Sequence, residues 1–454
     1  MESAGARPPV DPLASGRPLG GPTPPDEPEA LGWYPNLPGS RGAQARLRRL
    51  RIRDFRNLAA VDLTPSPEGL ALVGDNGQGK TNFLEAIYYV QLLRSFRGTR
   101  DQDLVRFGAA GFHLAAGVDG GRASEITIGF ERTPSSRRGA GRTDASSTPA
   151  AGLDAVRTAS ARGHAPIGRA PHGRKRVRLD GAEPARLSDA IGAVPAVIWA
   201  PQDAVLVTGA PSERRRFLDV ILSLTSRPYL HALQQYRGAL ANRNAALREA
   251  AQDAAADAVA VWEPALAAAG AVLWRARVAW TERHAEHFGE LCRAIGERGA
   301  ARMRYVSGIS QSADPEEALL QALERKRALD IRRGLTHAGP HRDDLALTLS
   351  DVDGVGRDLR VYGSAGQQRT AAIGLRLLEA ATLRAAAGCE PLVLLDDPFA
   401  ELDTRRAGRI LELLNAEGRG QTLLAVPRAS DIPPGLTRLE RWRIEGGRLS
   451  PERA

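Results

Sequence analysis

The sequence predicts an α/β fold whose core is interrupted by an α-helical lobe, and three observations predict it. The apolar run "LALV" leads into the glycine-rich "GDNGQGKT" and then the amphipathic "NFLEAIYYVQLL", which reads as strand, loop and helix in direct succession. From Ser212 to about Arg333 the pattern turns helical. After that stretch, "PLVLLDD" reads as a buried strand ending in two acids. A chain of 454 residues with 43% hydrophobic content can bury a sizeable core, as one large domain carrying an inserted lobe.

The elements follow in order. Residues 1–45 hold ten of the thirty prolines and few apolar side chains, so they read as a disordered extension. "LRRLRIRDFRNL" alternates at Leu50, Ile52 and Asp54, which suggests a strand running into "FRN"; "VDLTPSPEG" reads as a second strand and a turn. Residues 112–132 read as strands. Residues 133–172 are rich in Ala, Gly, Ser, Pro and Arg without periodicity and read as a disordered insertion. "KRVRLDGAE" resumes strand and turn, and "VPAVIWAPQD" is a further strand.

Within the helical stretch, the Ala-rich segment 231–295 suggests a short antiparallel arm interrupted by Pro264. A helix near 315 has favourable start chemistry: Asp314 as N-cap, Pro315 at the first position, then Glu316 and Glu317 at the positive helix end. "GPHRDDLALTLS" returns to turn and strand. "TAAIGLRLLEAATLRAAAG" is a helix with Gly388 as its C-cap, and "QTLLAVP" is another strand. The expected division is an extension (1–45), the first part of the core (46–205, including the insertion), a helical lobe (206–335) and the second part of the core (336–454).

Charge narrows the function classes less than it first suggests. The net charge is +9, but residues 133–178 alone carry +8 and residues 1–45 carry −2, leaving +3 on the body. A DNA-binding face on the fold therefore cannot be argued from total charge. Lysine occurs only at Lys80, Lys175 and Lys326, against 59 arginines, so each retained lysine is expected to have a chemical reason. Two distant cysteines, Cys292 and Cys389, fit neither a disulfide framework nor a metal spacing, and suggest a reducing cytosol. No apolar run looks long enough to span a bilayer, and the first residues lack the layout of a signal peptide.

Three motifs carry chemistry. Gly74-Asp75-Asn76-Gly77-Gln78-Gly79-Lys80-Thr81 matches the P-loop pattern, with a strand before it and a helix after it. Its glycines let backbone N–H groups turn inward around phosphate oxygens, Lys80 reaches the β- and γ-phosphates of ATP, and Thr81 ligates Mg²⁺. In "VLLDD", Asp396 ends a buried strand where it supports Mg²⁺, and Asp397 stands beside the attacking water as its orienting base. Asp403, in the "AELD" that follows, is a candidate for a loop touching a second subunit. Ser364-Ala365-Gly366-Gln367 precedes a helix, where a hydroxyl and the helix N-terminus suit a γ-phosphate. P-loop, S-x-G-Q and DD in this order are the parts of an ABC-type (SMC-head-like) P-loop ATPase core, with an inserted α-helical lobe. In such ATPases the S-x-G-Q phosphate belongs to the other subunit's nucleotide.

Further stretches sharpen the resemblance. "FRNL", "GDNGQGKTNFLEAIY", "RSFR", "PSERRRFLD", "YRGALANRN", "GPHRDDL", "GSAGQQRT" and "LLDDPFAELD" together resemble the RecF family, from about Leu47 to about Arg448 apart from the insertion. The resemblance implies a cytoplasmic protein that binds ATP, dimerises around two nucleotides and hydrolyses slowly, with at most a weak DNA-dependent ATPase activity. It implies ATP-dependent binding to single- and double-stranded DNA at gaps and stalled forks. It also implies RecO and RecR as partners in loading the recombinase. Gln202 in "WAPQD" is the candidate Q-loop residue, against a plain surface amide. Arg94, Arg97, Arg214 and Arg215 are candidates for DNA phosphate contacts, against purely structural arginines. "GPHRDDL" reads as a structural turn rather than a metal site.

Two departures stand out. Pro427 occupies the place of the usual switch histidine, and Asp397 that of the usual glutamate, a shorter side chain that fits slow turnover. A transporter ATPase subunit is the main rival, set against the long helical insert and "GPHRDDL". A chromosome-tethering protein with long coiled-coil arms would need far more chain between Lys80 and Ser364. An ATPase–nuclease fusion would need more after Asp403.

Overall fold

A computed structural model describes residues 44–133, 173–253, 257–309, 314–350, 354–399, 404–416 and 420–452. The disorder expected for the extension and the basic insertion falls on 1–43 and 134–172, outside the described residues.

In chain order, β1 (Arg46–Phe55) and β2 (Leu58–Leu63) form a hairpin, and β3 (Gly69–Val73) feeds α1 (Lys80–Leu92). The short α2 (Asp101–Leu104), then β4 (Gly111–Asp119), β5 (Glu125–Arg132), β6 (Gly173–Leu179) and β7 (Ala196–Trp199), complete the first part. The lobe comprises α3 (Val205–Thr208), α4 (Pro211–Thr225), α5 (Arg227–Asp253), α6 (Asp257–Ala260), α7 (Glu263–Ile295), β8 (Ala300–Val306) and α8 (Pro315–Arg333). There follow β9 (Asp344–Ser350), β10 (Gly356–Asp358), α9 (Leu359–Tyr362), α10 (Ala365–Ala387), β11 (Leu392–Asp396), α11 (Thr404–Ala416), β12 (Thr422–Val426), β13 (Glu440–Glu445) and β14 (Arg448–Pro451).

The central sheet runs β14-β13-β3-β12-β11-β7, parallel throughout except for β14. Every residue of β3, β7, β11 and β12 is buried, as parallel strands covered on both faces require. That is why their sequences are unbroken apolar runs rather than alternating ones. Gly69 is forced by this packing: a Cβ there would lie 1.8 Å from the Thr422 carbonyl oxygen of β12. The second sheet, β2-β1-β4-β5-β6, is antiparallel, and β1 turns Leu50 and Ile52 into the core; the alternation expected at Asp54 breaks there, because Asp54 takes a φ of 51° and pairs with Arg106, and Phe55 is buried instead. Phe55, Tyr89, Phe112 and Phe130 pack edge-on and stacked between this sheet and α1.

Several expectations need correction. The stretch 212–333 is not helical throughout, because β8 alternates buried and exposed residues and pairs antiparallel with β9. Its Ala, Arg and Met content favours helix locally, and pairing with β9 overrides it. The β8–β9 pairing also crosses the boundary expected at 335/336. Pro264 does not interrupt the arm; it lies in the first turn of α7, where its missing N–H costs nothing. The segment Asp257–Ile295 is long and apolar enough to cross a membrane by length and composition, at mean hydropathy 1.2, contrary to the expectation that no run qualifies. Half of that window is buried inside the fold, and α7 carries Arg277 paired with Asp219 at 2.8 Å, so it is a core helix of the lobe. The caps come out as expected: Asp314 accepts from the N–H groups of Glu316 and Glu317, and Gly388 ends α10 in the left-handed region.

Charged residues of the motifs brace the lobe. Arg214 is buried and holds Asp344 through two parallel hydrogen bonds of 2.8 Å, while Arg215 donates to the Asp343 carbonyl. Arg214 is therefore structural, and its candidacy for DNA phosphates fails because burial and Asp344 already use it; Arg215 is only half-buried and keeps a single carbonyl partner. "GPHRDDL" is the turn it was expected to be. The His341 ring accepts from the Tyr236 hydroxyl at Nδ1 (2.6 Å) and donates from Nε2 to the Thr336 carbonyl (3.0 Å).

Burial pushes the His341 imidazole down from 6.5 to about 4. Between those values the unfolded chain binds a proton that the folded one excludes. The stabilising contribution is therefore whole above pH 6.5 and is lost as pH falls toward 4. Urea titrations from pH 7 to pH 4.5 should show falling stability, and His341→Gln should flatten part of that fall. An unchanged slope in the variant would remove His341 from the account.

Candidate nucleotide site

Because β3, β12, β11 and β7 are parallel, their carboxyl ends share one edge of the sheet. That edge gathers the P-loop after β3, Pro427 after β12, Asp396 and Asp397 at the end of β11, and Gln202 after β7. Sites distant in sequence become neighbours through strand direction alone.

The loop Gly74–Gly79 turns with Gly77 and Gly79 at φ 83° and 118°, conformations that favour glycine. A Cβ on Gly79 would meet the Asn57 side chain at 2.7 Å. Asn57, from "FRNL", donates to the Gln78 carbonyl and accepts from Asn82, fixing the loop against the first turn of α1. Gln78 in turn accepts from Gly446 and Gly447 beyond β13, so Asp75, Asn76 and Gln78 sit in a loop tied from both sides. Lys80 is buried, and its ammonium donates to the carbonyls of Gly74 (2.6 Å) and Asp75 (3.0 Å). Burial lowers its pKa, opposed by Asp396, Asp397 and Asp75.

The Thr81 hydroxyl donates to Asp396 Oδ2 at 2.8 Å, which brings the two expected Mg²⁺ residues together across 315 positions of sequence. Burial raises the Asp396 carboxyl, while Thr81 and Lys80 pull it down. Asp397 adopts a left-handed φ of 46°, and its N–H donates to the Ala425 carbonyl of β12. A non-glycine residue held there is the kind of local strain found at functional turns. Gln202 is exposed, while its neighbour Asp203 caps the turn and pairs with Arg376 of α10 at 2.6 Å. Asp403 lies outside the described residues.

Ser364, Gly366 and Gln367 lie at the exposed start of α10, a helix that packs on α4, α7 and β7, and Arg369 in its next turn donates to the Pro398 carbonyl just after Asp397. Ser364 Oγ accepts from the Gln367 N–H at 3.3 Å, and Gln367 Oε1 accepts from the Ser364 N–H at 2.8 Å. This reciprocal cap closes the S-x-G-Q on itself. Its helix is coupled inward: Arg376 also pairs with Glu379, which accepts from Tyr88 of α1. The P-loop helix, the Gln202 turn and the S-x-G-Q helix are thus joined through one buried polar cluster.

Arg97, a candidate for DNA, donates to Asn82 Oδ1 at 3.2 Å and lies 3.7 Å from Glu85, both on α1, so it is a cation beside the P-loop. No local pattern marks this, since "RSFR" reaches α1 only through the fold. A cleft of about 510 Å³ opens beside the loop, lined by Gly74, Asp75, Gln78, Pro427, Arg428 and Arg443 among others. Pro427 thus lies at the expected switch place, without a side-chain donor.

A P-loop tied to an aspartate-tipped strand, with an S-x-G-Q at the exposed start of a helix joined to both, defines an ABC-type P-loop ATPase head. Comparison with known proteins narrows the class. The chain is 36% identical over 415 residues to the DNA replication and repair protein RecF of Roseiflexus castenholzii, covering 88% of this chain and 98% of that protein. It is 32% identical to that of Salinibacter ruber (86% and 87% covered) and 35% to that of Chloroflexus aggregans (89% and 99%). Two solved structures described as the recombination mediator protein RecF with ATPrS and with ATP, in the RecFOR pathway, superpose with TM-scores of 0.73. They are 25% and 26% identical, each covering 91% of this chain and 99% of its own. No family model matches the chain. The chain belongs to the RecF family of DNA replication and repair proteins.

Proposed function

We propose that this protein is an ATP-dependent DNA-binding ATPase of recombinational repair and replication, acting in the cytoplasm at DNA gaps and stalled forks, single- or double-stranded. The backbone of Gly74–Thr81 binds the triphosphate of ATP, and Lys80 exchanges its carbonyl partners for phosphate oxygens. Mg²⁺ fits this site. Among the described residues no cluster of three or more His, Cys, Asp or Glu could cage a metal. Thr81 and Asp396 offer two oxygens already in contact, which would hold Mg²⁺, a cation that is usually bound by one or two carboxylates plus substrate phosphates and waters. When bound it neutralises charge on the phosphates. Asp397 orients the attacking water, and Gln202 senses it from the β7 turn. Turnover is slow, with a short aspartate and a proline where longer donors are usual. RecO and RecR are the partners this reading carries over from the resemblance.

The observation that carries the reading is the exposed S-x-G-Q start of α10, capped only by its own residues. Such a helix start can bind a phosphate of a second copy's nucleotide, with Asp403 in the neighbouring contact, which makes ATP the trigger for a homodimer. Sedimentation with ATP, with ADP and without nucleotide, with and without duplex DNA, tests it. ATP alone should produce the dimer, and the dimer should bind DNA tightly. A protein that stays monomeric and blind to DNA in ATP overturns the proposal. Ser364→Arg should keep ATP affinity but lose dimerisation and hydrolysis, and normal hydrolysis by this variant would exclude the role in trans.

A further inference from the structure

A second cleft, of about 560 Å³, lies away from the P-loop, between the end of α7 and the start of α11. Its walls are Arg293, Arg298, Arg405, Arg406 and Arg409, with Glu297 and Gly296. Glu297 is buried and pairs with Arg406 at 3.2 Å. Arg293, Arg298, Arg405 and Arg409 have no ion pair to any described residue, so among the described residues four positive charges face one space unpaired. Most buried or clustered arginines elsewhere in this fold are paired, as Arg214, Arg243, Arg277 and Arg376 are. Mutual repulsion here costs stability, which a bound anion would offset.

Backbone and side chains are arranged around these guanidinium groups. A Cβ on Gly296 would lie 2.7 Å from Arg409 Nη1, and one on Gly366 would lie 2.7 Å from Arg406 Nη1. Arg406 thus borders the first turn of α10, next to the S-x-G-Q. Among the described residues the wall contains no apolar or aromatic side chain, so none of them can stack on a base or hold an adenine ring. Recognition rests on charge and on forked N–H donors, which suit phosphodiester oxygens.

We propose that this cleft holds the phosphate backbone of DNA, independently of sequence. The inference rests on the DNA-binding reading above and gives it a location next to the S-x-G-Q. Formation of the ATP dimer and engagement of DNA would then be read out on adjacent surfaces.

The test is the salt dependence of binding to a labelled duplex, measured in ATP between about 50 and 200 mM salt. Each phosphate contact contributes about 0.9 to the slope of log affinity against log salt. Arg298→Ala with Arg405→Ala, both exposed positions, should reduce the slope by about 1.8 and weaken binding at least about ten-fold at low salt. The paired lysine substitutions should keep most of the slope. Affinity for a fluorescent ATP analogue and the ATP-driven dimer should be unchanged in both variants. Wild-type affinity and slope in the alanine variant would overturn this location while leaving DNA binding by the protein intact. Loss of ATP affinity or of the dimer in step with DNA would assign the cleft to the second copy's nucleotide instead, and also overturn it. A wild-type protein that ignores duplex in ATP would remove the DNA reading and this inference together.

Discussion

Lys80→Ala should lower ATP affinity by about 100-fold or more, because two charge-assisted hydrogen bonds to phosphate, each worth about 1.5–3 kcal/mol, are lost. The Lys80 ammonium is pre-positioned for the exchange, since it already lies in the loop on the Gly74 and Asp75 carbonyls. Burial lowers its pKa, so part of the cost of desolvating the charge is met before nucleotide arrives. Three carboxylates nearby, Asp396, Asp397 and Asp75, oppose that lowering and favour the charged form. The nucleotide-free fold should change little, because the freed carbonyls border an open cleft where water replaces the ammonium. Thermal unfolding with rising ATP reads this directly. The wild type gains stability with ligand concentration and the variant stays flat at concentrations that saturate the wild type. An ATP-dependent shift of normal size in Lys80→Ala would show that the triphosphate binds elsewhere.

The largest stability effect should come from Arg243→Met, far from the nucleotide. Arg243 is fully buried on α5 and donates to Asp330 of α8 (2.8 Å), Glu263 of α7 (2.9 Å) and the Thr336 hydroxyl (2.8 Å). With α5 and α7 at 27 and 33 residues, the arm is about 40–50 Å long, and this cluster pins its helices to α8. Among the described residues, apolar packing near its tip is a small separate cluster of Ala246, Leu247, Ala250 and Val259, with Trp262 and Ile331 packed against it. Removing the arginine leaves Asp330 with the His337 ring at 2.7 Å and no guanidinium, while Glu263 keeps Arg327. Breaking one side of a buried pair costs about 3–5 kcal/mol, because a charge is left without its partner. Urea unfolding should show that loss, and adding Asp330→Leu should restore part of it by removing the stranded carboxylate. A loss below about 1 kcal/mol would mean that the arm is held by its apolar contacts alone.

Much of the nucleotide site was legible in the sequence. A phosphate cradle is built from consecutive residues, so Gly74–Thr81 carries its own geometry, and the all-buried β11 announces itself as "LVLLD". Caps at Asp314 and Gly388 are equally local, since one side chain or one left-handed residue makes each. Strand β8 was not legible, because its residues suit a helix until β9 lies beside them. Arginine roles were the least legible. Charge alone makes Arg94, Arg97, Arg214 and Arg215 look alike, yet Arg214 is buried against Asp344 and Arg97 reaches α1.

The sequence by itself determined that this chain carries a P-loop, an aspartate-tipped strand and an S-x-G-Q helix start, and its likeness to the RecF family followed from their order. The tertiary structure decided which edge the P-loop and the aspartates share, and that Thr81 meets Asp396 while Ser364 is capped by Gln367. It also decided which arginines brace the fold and which face an open cleft. The physical reason is range: backbone turns and apolar runs are set by neighbours in sequence, whereas burial and charge pairing are set by whatever the fold brings alongside.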